Sequence, residues 1–388
     1  MTKSIKMKMF EVCGRSTFTR KLLFQMRIHK QWKHRIKEKE ILEWEKRPEK
    51  KQKYFYQVLT NKMAEYEKLI QECQEEIKKF SDEKRVCSEE KINEMVADMI
   101  FCYRAYGTTP NEYMLFDFQK KTQESRKSFI TDMNRYEYYF QMNDPYLEEI
   151  LFDKYKTWKV YKNFMGREMI KVKTETTREE IQKFIKMHSE FVCKPSDLSR
   201  GEGVVLCRLE ENMEELTKMI SGYDNCVLEE VIHQAKEMAV LHAGSVNTVR
   251  CPTIYTKDGG VVFHPVLRMG RGGSFVDNAA AGGIIANVDA KTGLVITDGV
   301  DESGKSYEFH PDTGVKLKGF RVPRWEELLI FADRIARVMP QVRYVGWDLA
   351  LTEQGWVMIE GNCHGQFLCE YVDQVGRKEE LDILKNNI

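Results

Sequence analysis

Three polar residues stand where strand logic wants apolar ones: Asp348, Glu360 and Asn362, in the stretch YVGWDLALTEQGWVMIEGN from Tyr344 to Asn362. Residues two apart in a strand share a face, so Glu360 and Asn362 point the same way. A tight turn at Thr352-Glu353-Gln354-Gly355 brings Asp348, on the preceding strand, beside Glu360. Two carboxylates and an amide oxygen form a hard-oxygen cluster of the kind Mg²⁺ takes, with water and phosphate oxygens filling its other positions. Without a cation, close carboxylates repel and one must take up a proton. Asp348 alone reads as an exposed strand-end residue; all three, amid Val, Trp, Leu, Met and Ile, read as a metal site.

Three further stretches carry chemistry. In FVCKPSDLSRGEGVV, Lys194 closes an apolar strand, and a small polar loop with Ser196, Gly201 and Gly203 follows. Glycines let backbone amides approach phosphate, and a strand-end lysine reaches the same anion. This is not a Walker A loop, because the lysine precedes the glycines and no GK[ST] follows. In RMGRGGSFVDNAAAGG, from Arg268 to Gly283, two arginines, Asp277 and Asn278 lie among five glycines. Guanidinium forks suit carboxylate or phosphate, and so many glycines are costly unless the conformation matters. Arg250, in the preceding strand, is positioned to face the same cavity. In VLEEVIHQAKEM, an apolar strand ends in Glu229-Glu230-Val231-Ile232, an edge whose backbone can read a flat base, although a plain strand-to-loop junction has the same pattern.

The elements that must hold these residues change along the chain. Up to about residue 150 glycine is sparse and Lys, Glu, Gln, Met and aromatics abound, which reads as helix, for example from Tyr54 to Phe80. Pro48 and Gly107-Thr108-Thr109-Pro110 break it. Beyond about Leu151 the texture becomes α/β. EMIKVKT, EFVCKPS, GVVLCRL and NCVLEEVI read as strands, and TREEIQKFIKMH, with Thr177 and Glu180 as a capping box, and NMEELTKMIS as helices. SVNTVRCPTIY and GGVVFHPVLRMG form a hairpin across Lys257-Asp258-Gly259-Gly260, and Trp325 to Met339 is an amphipathic helix.

With 388 residues, two or three domains are expected. The net charge of +1 gives no sign of a nucleic-acid partner. From Arg20 to Lys53, 13 Lys or Arg stand against 5 Glu. Such a run is most often a solvated helical face, and peripheral contact with a membrane surface is the less favoured reading. Ten cysteines without a CxxC pair argue against a disulfide framework and a structural zinc site. No stretch approaches eighteen apolar residues, and no signal peptide is seen. A cytoplasmic location fits these features.

Taken in this order, the four stretches resemble an ATP-grasp ligase, and more narrowly the sugar-transfer-associated ATP-grasp family. The narrow resemblance rests on DKYKTWKVYKNF, SVNTVR, LRMGRGGSFVDNAAAGGIIANVD, HPDTGVKLKGF and VGWDLALTEQGWVMIEGN, and covers roughly residues 103 to 372. It implies an α+β fold of two lobes clamping ATP, preceded by an all-helical region. The expected division is a helical accessory region over 1–100, a helical segment over 101–150, a small lobe over 151–226 and a large lobe over 227–388. It also implies residue roles. Lys154 and Lys194 contact the nucleotide phosphates, with Ser196, Gly201 and Gly203 in the loop that follows Lys194. Glu229, Glu230, Val231 and Ile232 form the hinge that reads adenine, and Glu237 takes the ribose. Asp348, Glu360 and Asn362 bind Mg²⁺, two ions being expected and Mn²⁺ an alternative. Arg250, Arg268 and Asn278 hold the transferred phosphoryl group. The implied activity joins a carboxylate to an amine through an acyl phosphate, on a sugar or cell-envelope polysaccharide precursor. The alternatives are a nucleotide-binding scaffold of a polysaccharide-synthesis complex and a phosphotransferase.

Overall fold

Local sequence sets several helix ends here. Thr177 accepts from the Glu180 amide at 3.3 Å while the Glu180 carboxylate takes the Thr177 amide at 2.9 Å, so the helix Arg178–Met187 starts where its capping box says. Thr109 and Glu112 repeat the device ahead of Pro110. Gly107 ends the preceding helix in the left-handed region, at a φ of 72°.

The structure is a computed structural model that describes residues 26, 32, 35–60, 66–80, 88–195, 203–208, 213–223, 225–278 and 282–388. Ser196 and Gly201, and most of the basic run before residue 35, lie outside the described residues. The chain divides into two units, one of residues 1–142 with 374–383, the other of 143–373 with 384–388. The expected large lobe, drawn to residue 388, therefore loses a C-terminal piece to the helical unit.

Among its described residues the first unit is helical. The Tyr54 to Phe80 stretch forms two helices, Pro48–Thr60 and Glu67–Phe80, with Pro48 as the opening residue of the first. Phe55 meets Trp44 and Phe101 edge-on. Beneath them Arg126 pairs with Asp98 at 2.7 Å.

The second unit holds two antiparallel sheets. The smaller has the order β1 (Met169–Lys173), β4 (Asn225–Glu230), β2 (Glu190–Pro195) and β3 (Val205–Arg208). Helices Arg178–Met187 and Met213–Ser221 bury Ile181, Phe184, Ile185, Leu216 and Ile220 in its core. The expected lobe boundary at residue 226 falls inside β4, which pairs with β1 and β2 along its length.

The larger sheet runs β10 (Ser306–Tyr307), β9 (Gly299–Val300), β8 (Ile284–Asn287), β7 (Val266–Met269), β5 (Thr248–Thr256), β11 (Tyr344–Thr352) and β12 (Gly355–Asn362), with β6 (Gly259–Val262) paired to β5. The hairpin read from the sequence is present, but its second half is split. His264, at a φ of 44°, interrupts the run, so β6 and β7 pair with different stretches of β5. The helix Trp325–Ala336 covers this sheet with Leu328, Ala332 and Ile335.

In β12 a residue without a side chain is required at Gly361. A Cβ there would lie 2.6 Å from the ring of the buried Trp347 on the neighbouring strand. Gly361→Ala is expected to destabilise the second unit by about 1–3 kcal/mol, the usual cost of overpacking. Urea denaturation followed by tryptophan fluorescence measures it.

Candidate active site

Strand register makes one row of charged residues. Arg250 of β5 lies opposite Asp348 of β11, and Asp348 lies opposite Glu360 of β12. Residues directly opposite in antiparallel strands share a face, so the three side chains form a line across the sheet. A bulge follows Asp348, a device common beside active sites.

Asp348 is only 4% exposed. Arg250 grips it through Nε and, at 3.0 Å, through Nη2, while Arg268 of β7 donates from Nη1 at 2.8 Å. Burial alone would raise the Asp348 carboxyl; the two guanidiniums beside it overcome this and hold the group at about 2. Gly346 leaves room for this grip, since a Cβ there would stand 3.3 Å from Arg250 Cδ. Arg268 also reaches Asp277 at 3.1 Å, and Thr248 donates to the same carboxylate. Burial would lower the Arg268 guanidinium, but Asp277 and Asp348 raise it.

The three residues expected to bind Mg²⁺ lie together. Asp348 stands opposite Glu360, is buried, and serves both arginines. Glu360 is exposed, and the Asn362 amide donates to it at 3.1 Å. Glu360 and Asn362 offer hard oxygens on one face, and an ionised carboxylate has lone pairs beyond those the arginines use, so the donor set fits Mg²⁺.

Across from this row stands a second cluster. Lys194, at the end of β2, pairs with Glu229 of β4. Arg167 binds the other Glu229 oxygen at 3.0 Å and donates to the carbonyls of Met358 at 2.8 Å and Ile359 at 2.9 Å, next to Glu360. One buried carboxylate therefore serves two cations, leaving an excess of positive charge. Burial, followed by the charge of Arg167, pushes the Lys194 ammonium down to about 7; Lys154 adds to this and Glu360 opposes it. Burial lowers Arg167 to about 10 against the pull of Glu360 and Glu230. Glu360 thus acts electrostatically on Lys194, Arg167 and Arg268 at once.

The remaining expected residues are placed as follows. Lys154 opens the helix Lys154–Met165, which Asp153 caps through the amides of Tyr155 and Lys156, and its ammonium donates to the Pro195 carbonyl at 3.3 Å. Glu229, expected in the adenine hinge, turns its carboxylate to Lys194 and Arg167. Glu230 closes β4, its carboxylate accepting from the Glu168 amide at 3.2 Å, and Val231 and Ile232 follow half-buried. Gly203 is in the left-handed region at a φ of 69°. Glu237 is exposed on a four-residue helix, where its charge acts on Arg324. Asn278 is half-buried and its carbonyl accepts from the Gly283 amide at 3.0 Å. The glycine stretch is anchored: His310 contacts the Gly270 carbonyl at 2.8 Å, His242 the Gly272 carbonyl at 3.1 Å, and Asp312 takes the Gly272 amide at 2.6 Å.

Sequence reasoning missed Arg167, Asp277 and Thr248 as site-forming residues. Asp277 carried a signal, an acid inside the glycine stretch next to the chosen Asn278. Arg167 carried none, because its partners are 62 and more than 190 residues away.

The fold and these clusters define an ATP-grasp protein. The family described as sugar-transfer associated ATP-grasp matches residues 133–385, and the chain belongs to that family. None of the curated proteins compared with the chain matches it. Among solved structures, the chain is similar to the ATP-grasp ligase PsnB in complex with a phosphomimetic variant of its minimal precursor, Mg and ADP, at 12% identity over 63% of this chain and 62% of that one, with a TM-score of 0.39. It is similar to D-alanine-D-alanine ligase from Helicobacter pylori at 13% identity, over 62% and 61% of the chains, with a TM-score of 0.39. It is also similar to D-alanyl-alanine synthetase A from Vibrio cholerae at 10% identity, over 61% and 65%, with a TM-score of 0.39. The chain spans less than two thirds of the length of each of these three proteins.

Asp348→Asn leaves two buried guanidiniums short of charge and is expected to cost about 3–5 kcal/mol, read by chemical denaturation at pH 7. In the wild type the Asp348 carboxyl lies lower folded than unfolded. Its contribution is full above its ordinary value of 3.8 and disappears as pH falls toward 2, so acid titration of the denaturation midpoint should lose that part in wild type and not in the variant.

Proposed function

We propose that the chain is an ATP- and Mg²⁺-dependent carboxylate–amine ligase working through an acyl phosphate. The observation that carries this reading is the position of Glu360: in register with Asp348, bonded to Asn362, and acting electrostatically on Lys194 and Arg268. A hard-oxygen pair beside an excess of cationic charge suits a nucleotide's polyphosphate. Lys194 and Lys154 bind and orient the phosphates. Arg268 and Arg250, held in place by Asp348 and Asp277, stabilise charge developing on the transferred phosphoryl group. Asp348, Glu360 and Asn362 would hold Mg²⁺, which would supply charge neutralisation for the nucleotide's phosphates.

In this reading a carboxylate oxygen of the substrate bonds to the γ-phosphorus and ADP leaves. The amine nitrogen then attacks the carbonyl carbon, phosphate leaves, and the amine gives up a proton. The small sheet closes over the nucleotide to keep water from the acyl phosphate. The adenine rests on Val231 and Ile232, and Ser196, Gly201 and Gly203 line the phosphates. Asn278 contacts the phosphoryl group and Glu237 the ribose. The carboxylate is a sugar-linked or small acid of polysaccharide synthesis, as the family description suggests, and the enzyme works in the cytoplasm, where ATP is at hand. Among the described residues no helix is long and apolar enough to cross a membrane.

The test is Mg²⁺-dependent ADP release across a panel of uronic acids and amino acids, with hydroxylamine as the trapping amine. One carboxylate is expected to give both ADP and a hydroxamate, and Glu360→Gln to reduce both by about a hundredfold or more. ADP with a stable phosphorylated product would point to a phosphotransferase; ATP binding without ADP release from any acid would point to a scaffold protein.

ATP binding should also be proton-linked. Phosphates favour the charged form of Lys194, so binding takes up a proton above its free value of about 7. The Kd for ATP is expected to weaken from pH 7 to 9 by up to about tenfold per unit, and Lys194→Gln to flatten that slope, as measured by calorimetry.

A further inference from the structure

The end of β12 carries a second set of ligand-type side chains. Cys363 and His364 follow Asn362 directly, and Glu148 opens the short helix Glu148–Leu151. One ligand atom from each of the three residues lies within 4.8 Å of the other two. The His364 Nε2 stands 3.2 Å from the Glu148 carboxylate, and the Cys363 sulfur 3.9 Å from the Glu148 carbonyl. Glu148 and Cys363 are each 1% exposed, while the His364 side chain is 21% exposed.

We infer that Glu148, Cys363 and His364 form a site for a borderline-soft divalent cation of the Zn²⁺ type, separate from the Mg²⁺ set. The donor types decide the ion. Mg²⁺ takes oxygen and keeps its water, whereas thiolate and imidazole together select Zn²⁺ and its neighbours. Around a tetrahedral zinc the donor atoms lie about 3.3–3.8 Å apart, so the widest pair in the cluster needs to close by about 1–1.5 Å. Two anionic donors, carboxylate and thiolate, neutralise the ion, and the partly exposed imidazole side leaves a fourth position for water. The donors differ from the Mg²⁺ set: Glu360 and Asn362 pair in register with Asp348 and Gly346, and Cys363 packs into the large core. A cation here would tie the strand that bears Glu360 to the segment leading into the Asp153 cap and Lys154, fixing both halves of the phosphate site.

The test uses Co²⁺ as the probe, added to chelator-treated full-length protein in the presence of excess Mg²⁺. A thiolate-to-cobalt charge-transfer band saturating at one equivalent per chain is expected. It should vanish in Cys363→Ser and persist in Glu360→Gln, which separates this site from the ligase reading. His364→Ala, at a partly exposed position, should weaken Co²⁺ binding by about tenfold or more, and this variant decides the matter if Cys363→Ser does not fold. Absence of the band in wild type, its survival in Cys363→Ser, unchanged affinity in His364→Ala, or its loss in Glu360→Gln would each overturn the site.

Discussion

A buried carboxylate between two guanidiniums organises this site. Asp348 has no apolar reason to lie inside a sheet, and its burial is tolerated only because Arg250 and Arg268 hydrogen-bond both its oxygens. The dependence is mutual. Arg268 is itself buried and would be costly without Asp348 and Asp277. A network of this kind fixes its members in one geometry, which a site that stabilises transferring phosphoryl charge requires beforehand.

Arg167 couples that network to the smaller sheet. Its guanidinium joins Glu229 of β4 to the carbonyls just before Glu360, so the lysine cluster and the metal strand share one buried cation. The sharing also creates the functional imbalance. Glu229 cannot neutralise both Arg167 and Lys194, and in the proposed function a polyphosphate would relieve the surplus charge. Structure and binding thus draw on the same shortage of negative charge.

Much of this was legible in the sequence because it was local. The capping box at Thr177, the turn between β11 and β12, and the shared face of Glu360 and Asn362 follow from spacing alone. The burial of Asp348 did not, since a strand pattern does not reveal which neighbours a strand will have. Only the register of β5, β7 and β11 shows that Arg250 and Arg268 converge on it. The side chain of Glu229 was hidden for the same reason: its place at the end of an apolar strand suggested a hinge, and only its long-range partners show the carboxylate to be a counter-ion. His264 broke an apparently continuous strand through a backbone angle that its residue type does not announce.

The account stands on Glu360 being where metal and nucleotide meet. A crystal structure of the chain with Mn²⁺ and a non-hydrolysable ATP analogue, read by manganese anomalous scattering, measures this directly. The account predicts a peak within coordination distance of the Glu360 carboxylate and the Asn362 amide oxygen, with the analogue's phosphates on Lys194. A nucleotide bound elsewhere, or manganese that avoids Glu360 while the nucleotide is present, would contradict it.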